Sequence, residues 1–199
     1  MKDFYNAIEK RRTIYGISNE EVMPEDKLEQ LIQLCVKHAP SAFNAQESRV
    51  ILLLGNSHHR LWQITKDNLR AIVGAENFAD TEKKIDAFAA GVGTILFYED
   101  TSVTKGLQEK FPTYAHNFPV WASQASGIVQ YIVWTALACE GYGANLQHYA
   151  EVIEDDVRRD FQINPSWKMT AQMPFGKLVS PADPGKTFEP IENRVMVRK

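Results

Sequence analysis

The chain has 199 residues, with 22 Lys and Arg against 25 Asp and Glu, and a formal charge of −3. At 44% hydrophobic and 24% charged residues it is an ordinary globular mixture. That size suits one domain over 1–199, with a core that needs no disulfide framework or structural metal. So mild a charge excludes a global field for nucleic acid or an anionic membrane, and any anion site has to be assembled locally from a few cations.

Cys35 and Cys139 sit in apolar helical patterns and read as small buried hydrophobes. The N-terminal MKDFYNAIEK lacks the continuous apolar run of a signal peptide. The most lipophilic stretch, 127–139, is interrupted by Gln130 and falls short of the ~20 residues of a membrane span. The default expectation is a cytoplasmic, reducing setting, without nucleic-acid or membrane partners.

In chain order, Asp3 to Arg12 reads as a short helix with Phe4, Ala7 and Ile8 inward. Pro24 opens a second, whose Leu28, Leu31, Ile32, Cys35, Val36 and Ala39 form one amphipathic face ended by Pro40. Arg49 to Gly55 is short and uniformly apolar, the signature of a buried strand. Asn56 and Ser57 are candidate caps for the next helix, with Leu61, Ile64, Leu69 and Ile72 facing the core. A charged helix over Asp80 to Ala90 precedes a strand over Thr94 to Tyr98. Phe118 to Glu140 is apolar on nearly every face, so it should be buried all round, one face against another subunit. Gly141 ends it. A short strand over Ala144 to Gln147, a helix over Glu151 to Phe161 and a strand over Met173 to Val179 follow. The tail from Ile191 to Lys199 alternates apolar and charged residues, as a last strand would. Few strands with irregular connections indicate an α+β arrangement around one small sheet.

Several chemistries are excluded. Gly91-Val-Gly93 precedes a strand rather than following one, so it is no dinucleotide fingerprint. No GxxxxGK[ST] loop, HExxH or GxSxG motif is present. The five histidines lack metal-ligand spacing, and the adjacent His58 and His59 read as solvated surface. What remains is polar chemistry beside helix ends. Lys10-Arg-Arg-Thr13 offers guanidinium forks and a hydroxyl suited to phosphate, or else merely complements a helix C-terminus. Ser41, Asn44 and Gln46 offer hydrogen bonds to a planar heterocycle, or belong to an ordinary connection. The glycines at 141 and 143 present backbone N–H groups or simply make a turn. Arg194 and Arg198 gather positive charge in the tail.

The order of KRRTIYGI, a Pro-Ser-x-x-Asn-x-Gln segment and a terminal arginine resembles the FMN-dependent nitroreductase family across essentially the whole chain. GVGTILFYED, GANLQHY and MPFGKL resemble its short branch, the fatty-acid-repression-mutant-like nitroreductases. The resemblance implies a nitroreductase-like fold: a small, mostly antiparallel sheet flanked by helices, in a domain-swapped homodimer that exchanges C-terminal arms around two FMN molecules. It implies Arg11, Arg12 and Thr13 at the FMN phosphate and ribityl chain, with Arg194 and, less directly, Arg198. Ser41, Asn44 and Gln46 match positions near the isoalloxazine and ribityl groups, and Leu146, Gln147, His148 and Tyr149 match a strand end near N5. Two departures stand out. Glu47-Ser48 replaces a Pro-Trp pair, as in the short branch, and Tyr15 replaces a cation beside the flavin. Lys84, ahead of Lys83 or Arg49, is the substitute expected to stabilise the reduced flavin. Tyr15, His148 and Tyr149 are stacking walls or proton donors, with stacking preferred.

The implied activity is reduction of nitroaromatics or quinones by NAD(P)H, in ping-pong order through flavin N5. The rival reading is a flavin-binding regulatory or stress-response protein with little turnover. Reductive dehalogenation or flavin breakdown on the same scaffold is a lesser one.

Overall fold

The computed structural model describes residues 4–199, leaving aside the side chain of Ala75. The chain runs α1 (Phe4–Lys10), β1 (Ile17–Ser18), α2 (Glu25–His38), β2 (Ser48–Leu54), α3 (Gly55–Val73) and α4 (Ala79–Ala89). It continues through β3 (Gly93–Asp100), α5 (Thr101–Lys110), α6 (Phe118–Cys139), β4 (Tyr142–Ala144), α7 (Ala150–Asp160) and β5 (Trp167–Leu178). The strands form a five-stranded antiparallel sheet ordered β1-β5-β3-β2, with β4 also paired to β5. The α+β expectation with a small antiparallel sheet holds.

β3 explains the layering. Its side chains alternate, and both sets are apolar. Ile95 and Phe97 join a cluster with Leu28, Ile32, Val129, Val133 and Leu137 from α2 and α6. Leu96 and Tyr98 join Leu61, Trp62, Ile85, Phe88, Ile153 and Val157 from α3, α4 and α7 on the other face. These four β3 residues are all at or below 2% exposure, and burial of each such side chain contributes about 1.5–3 kcal/mol. The register with β5 slips between Phe97 and Tyr98: Phe97 opposes Ala171 while Tyr98 opposes Met169. Thr170 is the extra residue, and its hydroxyl donates to the Phe97 carbonyl. The bulge lets Met169 enter one cluster while Ala171 and Met173 enter the other.

Several sequence expectations are corrected. Ala7 is buried in α1, but Phe4 and Ile8 are exposed, because no element among the described residues covers that side; Asp3 lies outside the described residues. Gly55 (φ 52°) starts α3 directly after β2, so Asn56 and Ser57 lie inside the helix and cap nothing. Ile72 is exposed near its end. The segment after β3 forms α5, a helix that periodicity did not announce; the Asp100 side chain caps it by accepting from the Ser102 N–H. β5 begins at Trp167, six residues before Met173, because β3 supplies a partner along that whole length. The short strand over Ala144 to Gln147 instead spans Tyr142–Ala144, and Gln147 adds an isolated bridge to Gln172. The tail makes no strand: Ile191–Asn193 form a 3-10 turn, and the remaining residues are irregular and exposed. Within one chain helix α6 is covered over part of its surface, and the face expected to meet another subunit is open. Ala122, Val129, Val133 and Leu137 pack inward, but Val120, Ile128 and Tyr131 are exposed within one chain.

His58 is the sharpest reversal. Instead of solvated surface it is 1% exposed, with Nε2 donating to the Ala89 carbonyl at 3.1 Å and Nδ1 accepting from the Thr94 hydroxyl at 2.9 Å. The Trp62 indole N–H donates to the same Thr94 oxygen at 2.9 Å. Burial pushes the His58 pKa down to about 4, so the ring is neutral and ties α3 and the end of α4 to β3.

Candidate functional site

The segment after α1 is fixed from beneath. Ile14 donates its N–H to the Ala144 carbonyl at 2.9 Å, and the Asn145 side-chain amide donates to the Ile14 carbonyl at 2.9 Å. Asn145 is fully buried and accepts in turn from the Gln147 side chain at 2.8 Å. Gly143 allows this approach, since a Cβ there would meet Ile14 Cγ2 at 2.6 Å. Close packing is therefore what this glycine supplies, and Gly141 (φ 91°) makes the turn after α6.

Held in this way, Arg11, Arg12, Thr13 and Tyr15 line one cavity of about 470 Å³ with Gly16, Ser180, Pro181, Asp183 and Lys186. Arg11 lies 4.4 Å over the Trp134 ring, and Arg12 donates to the Asp183 carbonyl at 2.6 Å. Neither guanidinium pairs with a carboxylate among the described residues. A π face and a neutral carbonyl orient the two forks without cancelling their charge.

Ser41 and Gln46 line a second cavity of about 470 Å³ between α2 and β2, with Ile32, Val36, Arg49 and Trp167. Gln46 donates its backbone N–H to the Ser41 hydroxyl at 2.9 Å, closing the connection. Phe43, Asn44 and Gln46 hold positive φ of 57°, 51° and 54°, a costly run for residues with side chains. Arg49 is neutralised: it donates to Asp100 at 3.0 Å and to the carbonyls of Gln46 and Ser48 at 2.7 and 3.1 Å. Burial pushes the Asp100 carboxyl up, but bonds from Ser102 and Ser166 and the Arg49 charge outweigh it and hold it below the usual range. Glu47 is 3% exposed and its Oε2 has no hydrogen-bond partner among the described residues; burial raises its pKa, with Glu99 adding to the rise.

The two cavities share no lining residue. Residues 8–177 match the model of the Nitroreductase family. The chain belongs to that family. The nitroreductase FRM2 of Saccharomyces cerevisiae is 33% identical over 179 residues, which is 87% of each chain. The nitroreductase CinD of Lactococcus lactis is 42% identical, covering 99% of this chain and 100% of its own. Its structures with chloramphenicol and with 4-nitrophenol superpose with TM-scores of 0.91 and 0.90. A protein of Desulfovibrio desulfuricans solved with FMN shares the fold at a TM-score of 0.73 and 15% identity, covering 100% of this chain and 99% of that one. The chain is thus an oxidoreductase of the nitroreductase type with a nitroreductase-like fold.

In this nitroreductase, Lys84 lies on the exposed side of α4, 5.9 Å over the Phe88 ring, and Tyr15 lies 6.3 Å from the same ring. Lys83 instead pairs with Asp80, and Arg49 belongs to the second cavity. Leu146 to Tyr149 run between β4 and α7. The Gln147 N–H is used by the Gln172 carbonyl at 2.7 Å and the Tyr149 N–H by the Gln172 side chain at 2.7 Å, leaving those of Leu146 and His148 outside this pairing. Arg194 and Arg198 are exposed on the C-terminal arm and do not line the arginine cavity. Sequence reading missed Trp134, Asn145, Lys186 and the 180–183 wall. Trp134 is spaced like any core residue of α6, and nothing local marks the arm's return to Arg12. GANLQ held the one available signal, a polar Asn between apolar strand residues.

No helix among the described residues is long and apolar enough to cross a membrane. No group of three His, Cys, Asp or Glu among them is arranged to hold a metal ion.

Proposed function

We propose that residues 1–199 form one FMN-binding domain of an NAD(P)H-dependent oxidoreductase that reduces nitroaromatics or quinones. The arginine cavity carries this reading. It gathers two guanidinium forks with no carboxylate partner among the described residues, a hydroxyl and an ammonium, with Asp183 also in its lining, a donor set that suits a phosphomonoester. Bound FMN would supply the redox chemistry between NAD(P)H and the acceptor, the chain supplying binding and orientation.

The chain's own residues bind, orient and stabilise. Arg11, Arg12 and Thr13 hold the phosphate and ribityl chain, joined by Arg194 and Arg198 from the arm. Ser41, Asn44 and Gln46 meet the ribityl and isoalloxazine groups. The Leu146 and His148 N–H groups are the strand-end donors outside the internal pairing, and Tyr15 and Tyr149 act as walls. Lys84 provides positive charge on the side of the reduced ring.

The reading includes a homodimer. One chain keeps Arg11–Tyr15 and Ser41–Gln46 in separate cavities, so a site containing both sets is completed by a second copy. Exposed Val120 and Ile128 on α6, and Phe188, Ile191, Val195, Met196 and Val197 on the arm, supply apolar surface for that contact.

The test is direct. The purified protein is expected to be yellow, to bleach with NADH or NADPH without oxygen, and to regain colour on adding a nitroarene. Colourless protein that takes up no FMN overturns the reading. Yellow protein that neither reductant bleaches favours the regulatory alternative.

A further inference from the structure

Gln172 stands in the middle of β5 and is fully buried, opposite Leu96 and so on the sheet face packed by α3, α4 and α7. An amide in such surroundings is costly unless it is bonded. Beside β5 runs the segment that follows β4, joined to it by a ladder of N–H groups. Asn145 donates to the Pro174 carbonyl at 3.2 Å and Gln147 to the Gln172 carbonyl at 2.7 Å. The next rung of that ladder would fall to residue 170, which is the bulged position. The Tyr149 N–H instead meets the side-chain oxygen of Gln172 at 2.7 Å. The nitrogen end of the same amide donates to the Met169 thioether, a weak acceptor, so the bond from Tyr149 is the strong one.

N–H groups alternate in direction along an extended chain. With those of Asn145, Gln147 and Tyr149 turned to β5, those of Leu146 and His148 turn the other way. We propose that Gln172 is a positioning residue: its side-chain oxygen carries the ladder one rung past the bulge and thereby aims the Leu146 and His148 N–H groups at the flavin. The inference rests on the reading of 146–149 as the strand end near flavin N5. Oxidised flavin offers a lone pair at N5, whereas reduced flavin carries a hydrogen there. N–H donors held in place therefore favour the oxidised form, and Gln172 acts on the reduction potential from a buried position behind the strand end.

Two measurements test this. Amide hydrogen exchange on the wild-type protein needs no variant. The Tyr149 amide should be protected with or without FMN, and those of Leu146 and His148 should gain about tenfold protection when FMN is added. Rapid exchange at Tyr149 overturns the proposal; no gain at Leu146 and His148 overturns the reading beneath it, and the proposal falls with that reading. The second measurement compares wild type with Gln172→Met, which keeps the length of the side chain and removes the accepting oxygen. Its affinity for oxidised relative to reduced FMN should fall about three- to tenfold, a rise of about 15–30 mV in the two-electron midpoint potential. A merely structural role would lower Tm and leave that ratio unchanged, so a folded Gln172→Met protein with an unchanged or raised ratio overturns the proposal. If that protein does not fold, exchange at Tyr149 in wild type decides.

Discussion

Arg49 and the Arg11–Arg12 pair carry the same functional group into two cavities of similar size, and the chain treats them oppositely. Arg49 is enclosed by the Asp100 carboxylate and two carbonyls, so its charge is spent inside the fold. Arg11 rests on the Trp134 ring and Arg12 on a neutral carbonyl, and neither has a carboxylate partner among the described residues where it faces its cavity. A guanidinium held by a carboxylate is a staple between β2 and β3. One held by a π face keeps its charge and its direction. On the proposed reading, a chain of net charge −3 presents a phosphate site through cations that lack carboxylate partners among the described residues, rather than through a larger number of cations.

Removing the clamp under the arginines tests the comparison most severely. Asn145→Leu leaves the Ile14 carbonyl and the Gln147 amide buried without partners, at about 1–3 kcal/mol each. The expected loss is roughly 2–6 kcal/mol, a fall of about 4–24 °C in Tm for a chain of this size, together with weakened FMN retention. A calorimetric Tm within two or three degrees of wild type would mean that the clamp does not hold this segment.

His58 provides a control, since it lines neither cavity. Its folded pKa of about 4 lies below the unfolded value near 6.5, so the unfolded chain takes up the proton first as pH falls. Its stabilising contribution is intact above pH 6.5 and is lost progressively toward pH 4, on the order of 3 kcal/mol in all. Urea midpoints between pH 7 and 4.5 should fall in wild type and fall less steeply in His58→Gln. Equal slopes for the two proteins would assign the acid sensitivity elsewhere.

Next in size come the arginines themselves. Arg11→Ala and Arg194→Ala should each weaken FMN binding about tenfold or more, as expected for a charge-assisted bond of about 1.5–3 kcal/mol. Arg49→Met should act chiefly on stability, by about 1 kcal/mol, because Asp100 keeps its bonds from Ser102 and Ser166. If Arg11→Ala and Arg194→Ala both retain flavin at wild-type affinity by equilibrium dialysis, the phosphate assignment is wrong. Trp134 gives the smallest expected effect. Its cation–π contact contributes about 0.5–1 kcal/mol, so Trp134→Leu should weaken FMN binding two- to fivefold while Trp134→Phe largely preserves it. Identical affinities for all three proteins would show that Arg11 needs no platform.

Local pattern made most of the scaffold legible. The 3.6-residue repeat of Leu28, Ile32 and Cys35 marks the inner face of α2, and the uniform apolarity of β2 and β3 marks strands covered on both sides. The motifs also marked the arginine segment, the Ser41–Gln46 connection and the family to which they belong. Other features depend on partners distant in sequence, which periodicity does not encode. His58 is buried because Thr94 and Ala89 satisfy both ring nitrogens. The tail is irregular because no strand edge among the described residues pairs with it, despite its alternating residues.

The sequence by itself determined the α+β class, the family and which cations stand beside which helix ends. All of these follow from residue order and short-range spacing. Only the tertiary structure decided which of those cations are neutralised. Charge pairing depends on distances of 3–4 Å between elements far apart in the chain, such as Arg49 and Asp100, 51 residues away and joined only by the pairing of β2 with β3.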